Sequence, residues 1–267
     1  MDTKPPPSPT YASYLRLDKI LSAQAPVSDA HDELLFIVIH QASELWIKLC
    51  LHELGAARAA IRADQIAPAL KMMARVARVQ EQLNQSWSVL ATITPADYSG
   101  MRDKLGTSSG FQSHQYRQME FMMGNKNPRM IAIQAAAPEF QQLLQDELSR
   151  PSIYDECIFL LARRGFALSA DICSRDVTKP YVASPDVEAA WAQVYREPTR
   201  HWELYDLAEK LVDLEYRFQI WRFGHLKTIE RVIGFKRGTG GSAGVPYLAA
   251  VLNQVFFPEL LQVRKSL

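Results

Sequence analysis

The sequence predicts an all-α fold, a bundle of long helices. Three observations carry this. Apolar residues recur at helical spacing over segments of more than 20 residues, helix caps and stops punctuate the chain in series, and no period-2 runs are joined by hairpin turns. No repeat recurs at a fixed period, so 1–267 reads as one domain with a mobile proline-rich arm over 1–10.

The elements follow in order. "YASYLRLDKILSAQ" is a short amphipathic helix. A long one is expected from about Asp29 to Arg62, with Ser28 or Asp29 as N-cap, and another from about Pro68, suited to a first helical turn, to Leu90. In "TPADYSGMRDKLG" Thr94 caps, Pro95 opens the helix and Gly106 stops it. "SSGFQSHQYRQMEFMMG" restarts after a serine cap and ends at Gly124. Helices over "APEFQQLLQDELSR", "SIYDECIFLLARRG" and "SPDVEAAWAQVYRE" lead to a last long one from about Thr199 to Ile233. A glycine-rich loop and the short helix "VPYLAAVLNQV" close the chain.

Composition narrows the function. The chain is 48% hydrophobic with a formal net charge of +1, so neither a nucleic-acid partner nor an acidic solvating tail is indicated. Cys50, Cys157 and Cys173 are odd in number and form no CxxC pair, which suits a reducing compartment. The first residues lack a signal-peptide run, and "LLFIVI" is far too short to span a bilayer; a soluble cytoplasmic protein is expected.

Two histidines stand out. His225 shares a helix face with Leu214, Phe218, Trp221, Ile229 and Val232, and His40 shares one with Phe36, Ser43 and Ile47. The segment around His40 is apolar almost all round, so that helix is expected to be buried. A core imidazole bonded to a carbonyl is the ordinary reading of either residue. Two on separate long helices also make a haem or metal pocket a candidate. Glu-x-x-His and His-Glu-x-x-His are both absent, which argues against a di-iron bundle or a zincin. A porphyrin iron held by one imidazole asks least of the protein. His31, His52, His114 and His201 lie among polar neighbours and are expected at the surface.

Tyr98 and Arg102 are four apart and project together from a helix, where Arg102 could grip a carboxylate or pair with a neighbouring Asp97 or Asp103. Ser108, Ser109 and Gly110 precede a helix start, which serves as a cap or an anion site. "GFKRGTGGSAG" lacks the P-loop pattern; it reads as a helix stop and linker, or as a lid in which Thr239 supplies a hydroxyl.

Four stretches, "HDELLFIVIHQASELWIKL", "RDKLGTSSGFQSHQYRQMEFMMGNKNP", "WRFGH" and "RVIGFKRGTGGSAGVPYL", resemble the tryptophan 2,3-dioxygenase family in family order, and the resemblance extends from "TYASYLRLDKILSAQ" to "FFPEL". It implies an all-α homotetramer that binds haem b, one per subunit, and inserts both atoms of O2 into the indole C2–C3 bond of L-tryptophan, giving N-formylkynurenine. His225 matches the iron ligand, and His40 the distal residue that hydrogen-bonds the indole N–H. Phe36 matches the aromatic wall, Arg102 the carboxylate grip with Tyr98 beside it, and Thr239 the loop residue closing on the amino-acid end. Trp87, Ser109 and Gly110 match positions at the haem edge. Tyr11, Tyr14 and Leu15 match a segment reaching into a neighbouring subunit. Ile39 and Gly224 depart from the family pattern, where glutamine and arginine are common. A related haem-dependent oxygenase acting on a substituted indole or another aromatic amino acid is the nearest alternative, and a haem carrier without turnover a more distant one.

Overall fold

The first helical segment breaks where one residue turns left-handed. The computed structural model describes residues 8–241 and 243–267. In place of one amphipathic helix it has α1 (Tyr11–Leu15) and α2 (Leu17–Ile20), separated by Arg16 at φ 51°, a conformation no α-helix continues through. Residues 1–7 of the expected proline-rich arm lie outside the described residues.

α3 (Glu33–Arg62) starts later than Asp29, and neither Ser28 nor Asp29 caps it. The Glu33 carboxylate instead accepts the N–H groups of Val27 and Ser28 at 2.7 and 2.8 Å, together with the Ser28 hydroxyl. α4 (Ile66–Leu90) begins two residues before Pro68; the proline still sits in the first turn, where its missing N–H costs nothing. α5 (Pro95–Arg102) has the Thr94 cap and Pro95 opening, with Asp97 completing a capping box. Ser109 caps one 3₁₀ turn over Gly110–Gln112, and Ser113 caps α6 (His114–Met123), which Gly124 stops at φ 115°.

α7 (Pro138–Leu148), α8 (Ile153–Arg163), α9 (Ala170–Cys173), α10 (Pro185–Arg196), α11 (Trp202–Val232), α12 (Val245–Val251) and α13 (Pro258–Gln262) complete the chain. The two-turn 3₁₀ segment Pro128–Gln134, α9 and α13 have no counterpart in the sequence reading. Among the described residues there is no strand, so the fold is all-α.

The central helix is α4, which packs along both α3 and α11. The core gathers Leu54, Ile61, Met73, Val76, Trp191 and Leu211, all buried, each large aliphatic side chain contributing roughly 1.5–3 kcal/mol. Buried charges at this end have partners. Arg58 pairs with Glu147. Lys126 donates to the carbonyls of Glu147, Leu148 and Arg150 at 2.8, 3.2 and 2.7 Å, closing the end of α7. Burial pushes that lysine down to about 8. Glu259 accepts from the Tyr154 and Tyr181 hydroxyls and the Ser184 N–H at 2.8, 2.5 and 2.7 Å.

One expectation fails in the single chain. α3 is not buried all round: Leu34, Val38, Leu45 and Trp46 are exposed. The helix is apolar on its outer side as well as its inner, and only the inner side finds partners within the chain. By length and composition α3 would pass as a membrane span, with only 11% of its most apolar 18 residues buried.

Candidate functional site

Where α4 leaves a gap between the N-terminal half of α3 and the C-terminal part of α11, a cavity opens. It encloses about 1620 Å³ counted out to its open mouth, open solvent included. The two helix stripes read from the sequence meet here. Phe36, His40, Ser43 and Ile47 line it from α3, and Trp221, His225, Ile229 and Val232 from α11. The same periodicity that packs α11 into the core through Leu214 and Phe218 delivers His225 to the cavity wall three turns on.

The two imidazoles are wired differently. His40 Nδ1 lies 2.7 Å from the Phe36 carbonyl. A carbonyl only accepts, so Nδ1 carries the proton and Nε2 is left with a free lone pair. Burial holds His40 below the ordinary histidine value, against smaller opposing effects of the Phe36 carbonyl and Glu44. His225 has no hydrogen-bond partner among the described residues. Its ring is enclosed by protein, with its open surface facing the cavity. Burial, then the nearby His40 and Arg117, push it down to about 4, so it is neutral at pH 7. Trp87 stacks on it, ring centroids 4.8 Å apart and planes within 6°.

A neutral, enclosed imidazole with an unused nitrogen beside a large cavity meets the needs of an axial iron ligand. Among the described residues, no cluster of three or more His, Cys, Asp or Glu could hold a bare metal ion. The donor set therefore fits a macrocycle that brings its own equatorial ligands, not a free cation.

Other predicted residues fall at the rim. Tyr98, Ser109, Gly110 and Thr239 line the cavity. Burial raises the Tyr98 phenol above its ordinary value. The glycine-rich loop lies against the start of the 3₁₀ turn: Thr239 donates to the Ser108 carbonyl at 2.6 Å, and a Cβ on Gly240 would fall 2.6 Å from Ser109 Cβ, so only glycine allows this approach. Arg102 is not among the lining residues; its Nη2 donates to the Arg237 carbonyl of the same loop at 2.7 Å. Tyr11, Tyr14 and Leu15 stand away from the cavity and are exposed, the two tyrosines by 77% and 76%.

Sequence reasoning missed the polar wall. Arg117, Glu120 and Arg222 also line the cavity. Glu120 accepts from Arg117 at 2.6 Å and from Arg222 at 3.3 Å, and all three are buried. The i, i+3 spacing of Arg117 and Glu120 was visible; the partner 102 residues away was not. Two histidines expected at the surface are partly buried. His114 stacks on Phe140 at 3.7 Å. His201 lies against Phe166, 5.2 Å between rings, with Nε2 buried and unpartnered among the described residues. In both cases an aromatic neighbour distant in sequence supplies the burial.

Comparison with known proteins decides the family. The family model for tryptophan 2,3-dioxygenase matches residues 5–151 and 147–267. The chain belongs to the tryptophan 2,3-dioxygenase family. The tryptophan 2,3-dioxygenase of Erythrobacter litoralis is 63% identical over 258 residues, covering 97% of this chain and 98% of its own. Those of Cupriavidus necator and a Bradyrhizobium species are each 57% identical over 97% of this chain, covering 88% and 92% of their own lengths.

Proposed function

We propose that the chain is a haem-dependent dioxygenase that cleaves the indole C2–C3 bond of L-tryptophan with O2, giving N-formylkynurenine. The observation that carries this is the pair of imidazoles lining one cavity from α3 and α11, His225 without a hydrogen-bond partner among the described residues and His40 bonded through Nδ1 to the Phe36 carbonyl. Haem b, one per subunit, supplies the dioxygen chemistry when bound.

The chain's own residues bind, orient and exclude water. His225 would hold the iron, with Trp87, Ser109 and Gly110, which line the same cavity, beside the macrocycle. Nε2 of His40 accepts the indole N–H, because its other nitrogen is already committed to the Phe36 carbonyl. Phe36, 4.2 Å from His40 and 6.2 Å from Tyr98 between ring centroids, forms the aromatic wall. Arg102, at the end of α5 and bonded to the loop at the Arg237 carbonyl, takes the substrate carboxylate, and Thr239, on that loop, takes the amino-acid end. Holding both reactants in one dry site replaces a bimolecular encounter by an oriented one.

The exposed outer face of α3, with Leu34, Val38, Leu45 and Trp46, and the exposed Tyr11, Tyr14 and Leu15 support a homotetramer in which α1 reaches a neighbour's site. A subunit contact accounts for the apolar character of α3 without lipid, because its other face is committed to α4, α6 and α8. Three free thiols, two of them buried, support a cytoplasmic location.

Purified protein is loaded with hemin, reduced without oxygen, and given L-tryptophan and O2. Growth of N-formylkynurenine absorbance is expected. Failure to take up hemin overturns the cofactor, and a ring-intact hydroxylated product overturns the reaction.

A further inference from the structure

The stack of Trp87 on His225 depends on a missing side chain one residue away. Gly224 lies in the interior of α11, where glycine is the poorest helix former after proline. A Cβ built there would meet Trp87 Cδ1 at 2.6 Å, Cγ at 3.2 Å and Nε1 at 3.4 Å. The other glycines inside helices carry no such constraint: at Gly55 the nearest atom is Met122 Cε at 3.8 Å, and at Gly100 nothing lies within 4 Å. Trp87 is also held without a polar tether. Its Nε1 is buried and has no hydrogen-bond partner among the described residues, although a buried indole N–H ordinarily finds one. Contact alone sets the ring: the notch at Gly224, the parallel face of His225, and Trp221 at 5.2 Å and 52°.

We infer that Gly224 and Trp87 are a pair of positioning residues. The notch admits the indole against α11, and the indole face sets the rotation of the His225 imidazole toward the haem iron. Loss of a neighbour that orients a ligating histidine typically costs about 10–100-fold in metal affinity or activity. This rests on the reading of His225 as the iron ligand.

The test is a double-mutant cycle over wild type, Gly224→Ala, Trp87→Leu and the double variant, read by hemin titration and by the iron–histidine stretching band of the reduced protein in resonance Raman. Gly224→Ala is expected to weaken hemin binding about tenfold and to shift the band, while the same change in the Trp87→Leu background moves neither. Equal effects in both backgrounds, or an unmoved band in Gly224→Ala alone, would overturn the pairing. The single variant suffices if the double variant does not fold. If wild type takes no hemin, the cofactor reading fails instead, and melting of the apoproteins judges the pair. Gly224→Ala should then lower the midpoint when Trp87 is present and raise it, by helix propensity, when it is not. Equal shifts would sink the coupling.

Discussion

Residues 33–46 and 47–62 belong to one unbroken helix, α3, and are built to different ends. The second half buries Ile47, Cys50, Leu54, Ala57 and Ile61 and carries Arg58, paired with Glu147. The first half buries only Glu33. Its inner side opens onto the cavity through Phe36, His40 and Ser43, and its outer side leaves Leu34, Val38 and Leu45 exposed by 52%, 44% and 53%. Buried packing is concentrated at one end of the helix, and open surface at the other. A continuous backbone joins the two, so the anchored half holds the working half in place.

That contrast can be broken in several ways, taken from the largest expected effect. Arg58→Met leaves the buried Glu147 carboxylate with only the longer contact to Arg150 at 3.7 Å and should cost up to about 3 kcal/mol in urea unfolding, while hemin uptake by the folded fraction stays as in wild type. Unchanged stability would show that the second half is not the anchor.

At the cavity end the expected effect depends on pH. His225 is held down to about 4, and His40 is also lowered, against about 6.5 in the unfolded chain. The unfolded state therefore takes up protons first. Stability of the apoprotein is full above pH 6.5 and falls as pH drops from 6.5 toward 4, by up to about 1.4 kcal/mol per unit for each such proton. Unfolding of His225→Phe apoprotein should show a shallower dependence over that window; an identical slope would remove His225 as its source.

His40→Ala should leave stability nearly unchanged and lower kcat/KM for L-tryptophan about three- to tenfold, the effect of one neutral hydrogen bond of about 0.5–1.5 kcal/mol. An N1-methylated substrate, which has no indole N–H to donate, should lose less. Equal losses for both substrates would end the orienting role. The smallest effect is at the outer side. Leu45→Ala should shift unfolding of the isolated chain by no more than about 0.5 kcal/mol, whereas Leu45→Glu should lower the mass seen in light scattering. A tetramer that tolerates Leu45→Glu would place the subunit contact elsewhere.

Much of this was legible in the sequence, and what was not has a physical reason. Helix existence follows from short-range chemistry, so Thr94–Pro95, Gly124 and the ends of α3 and α4 at Arg62 and Leu90 stand where the residues indicate. The break at Arg16 needed a left-handed conformation that no glycine announced. Both histidine stripes could be read from spacing alone, because helical period decides which residues share a face. Burial could not be, since it belongs to partners far along the chain. α3 looked like a core helix and is half exposed, whereas Arg117 and Arg222, which no sequence pattern singled out, are buried around Glu120.

The contact between Arg102 and the Arg237 carbonyl has a consequence for how the loop and a carboxylate ligand depend on each other. One carbonyl occupies one of five guanidinium N–H donors, so the fork can receive an anion without letting go of the backbone it already holds. If Arg102 takes the carboxylate as proposed, loop docking and anion capture share a single side chain's position. On that proposal, a ligand stripped of its charge would leave the side chain that docks the loop less firmly held.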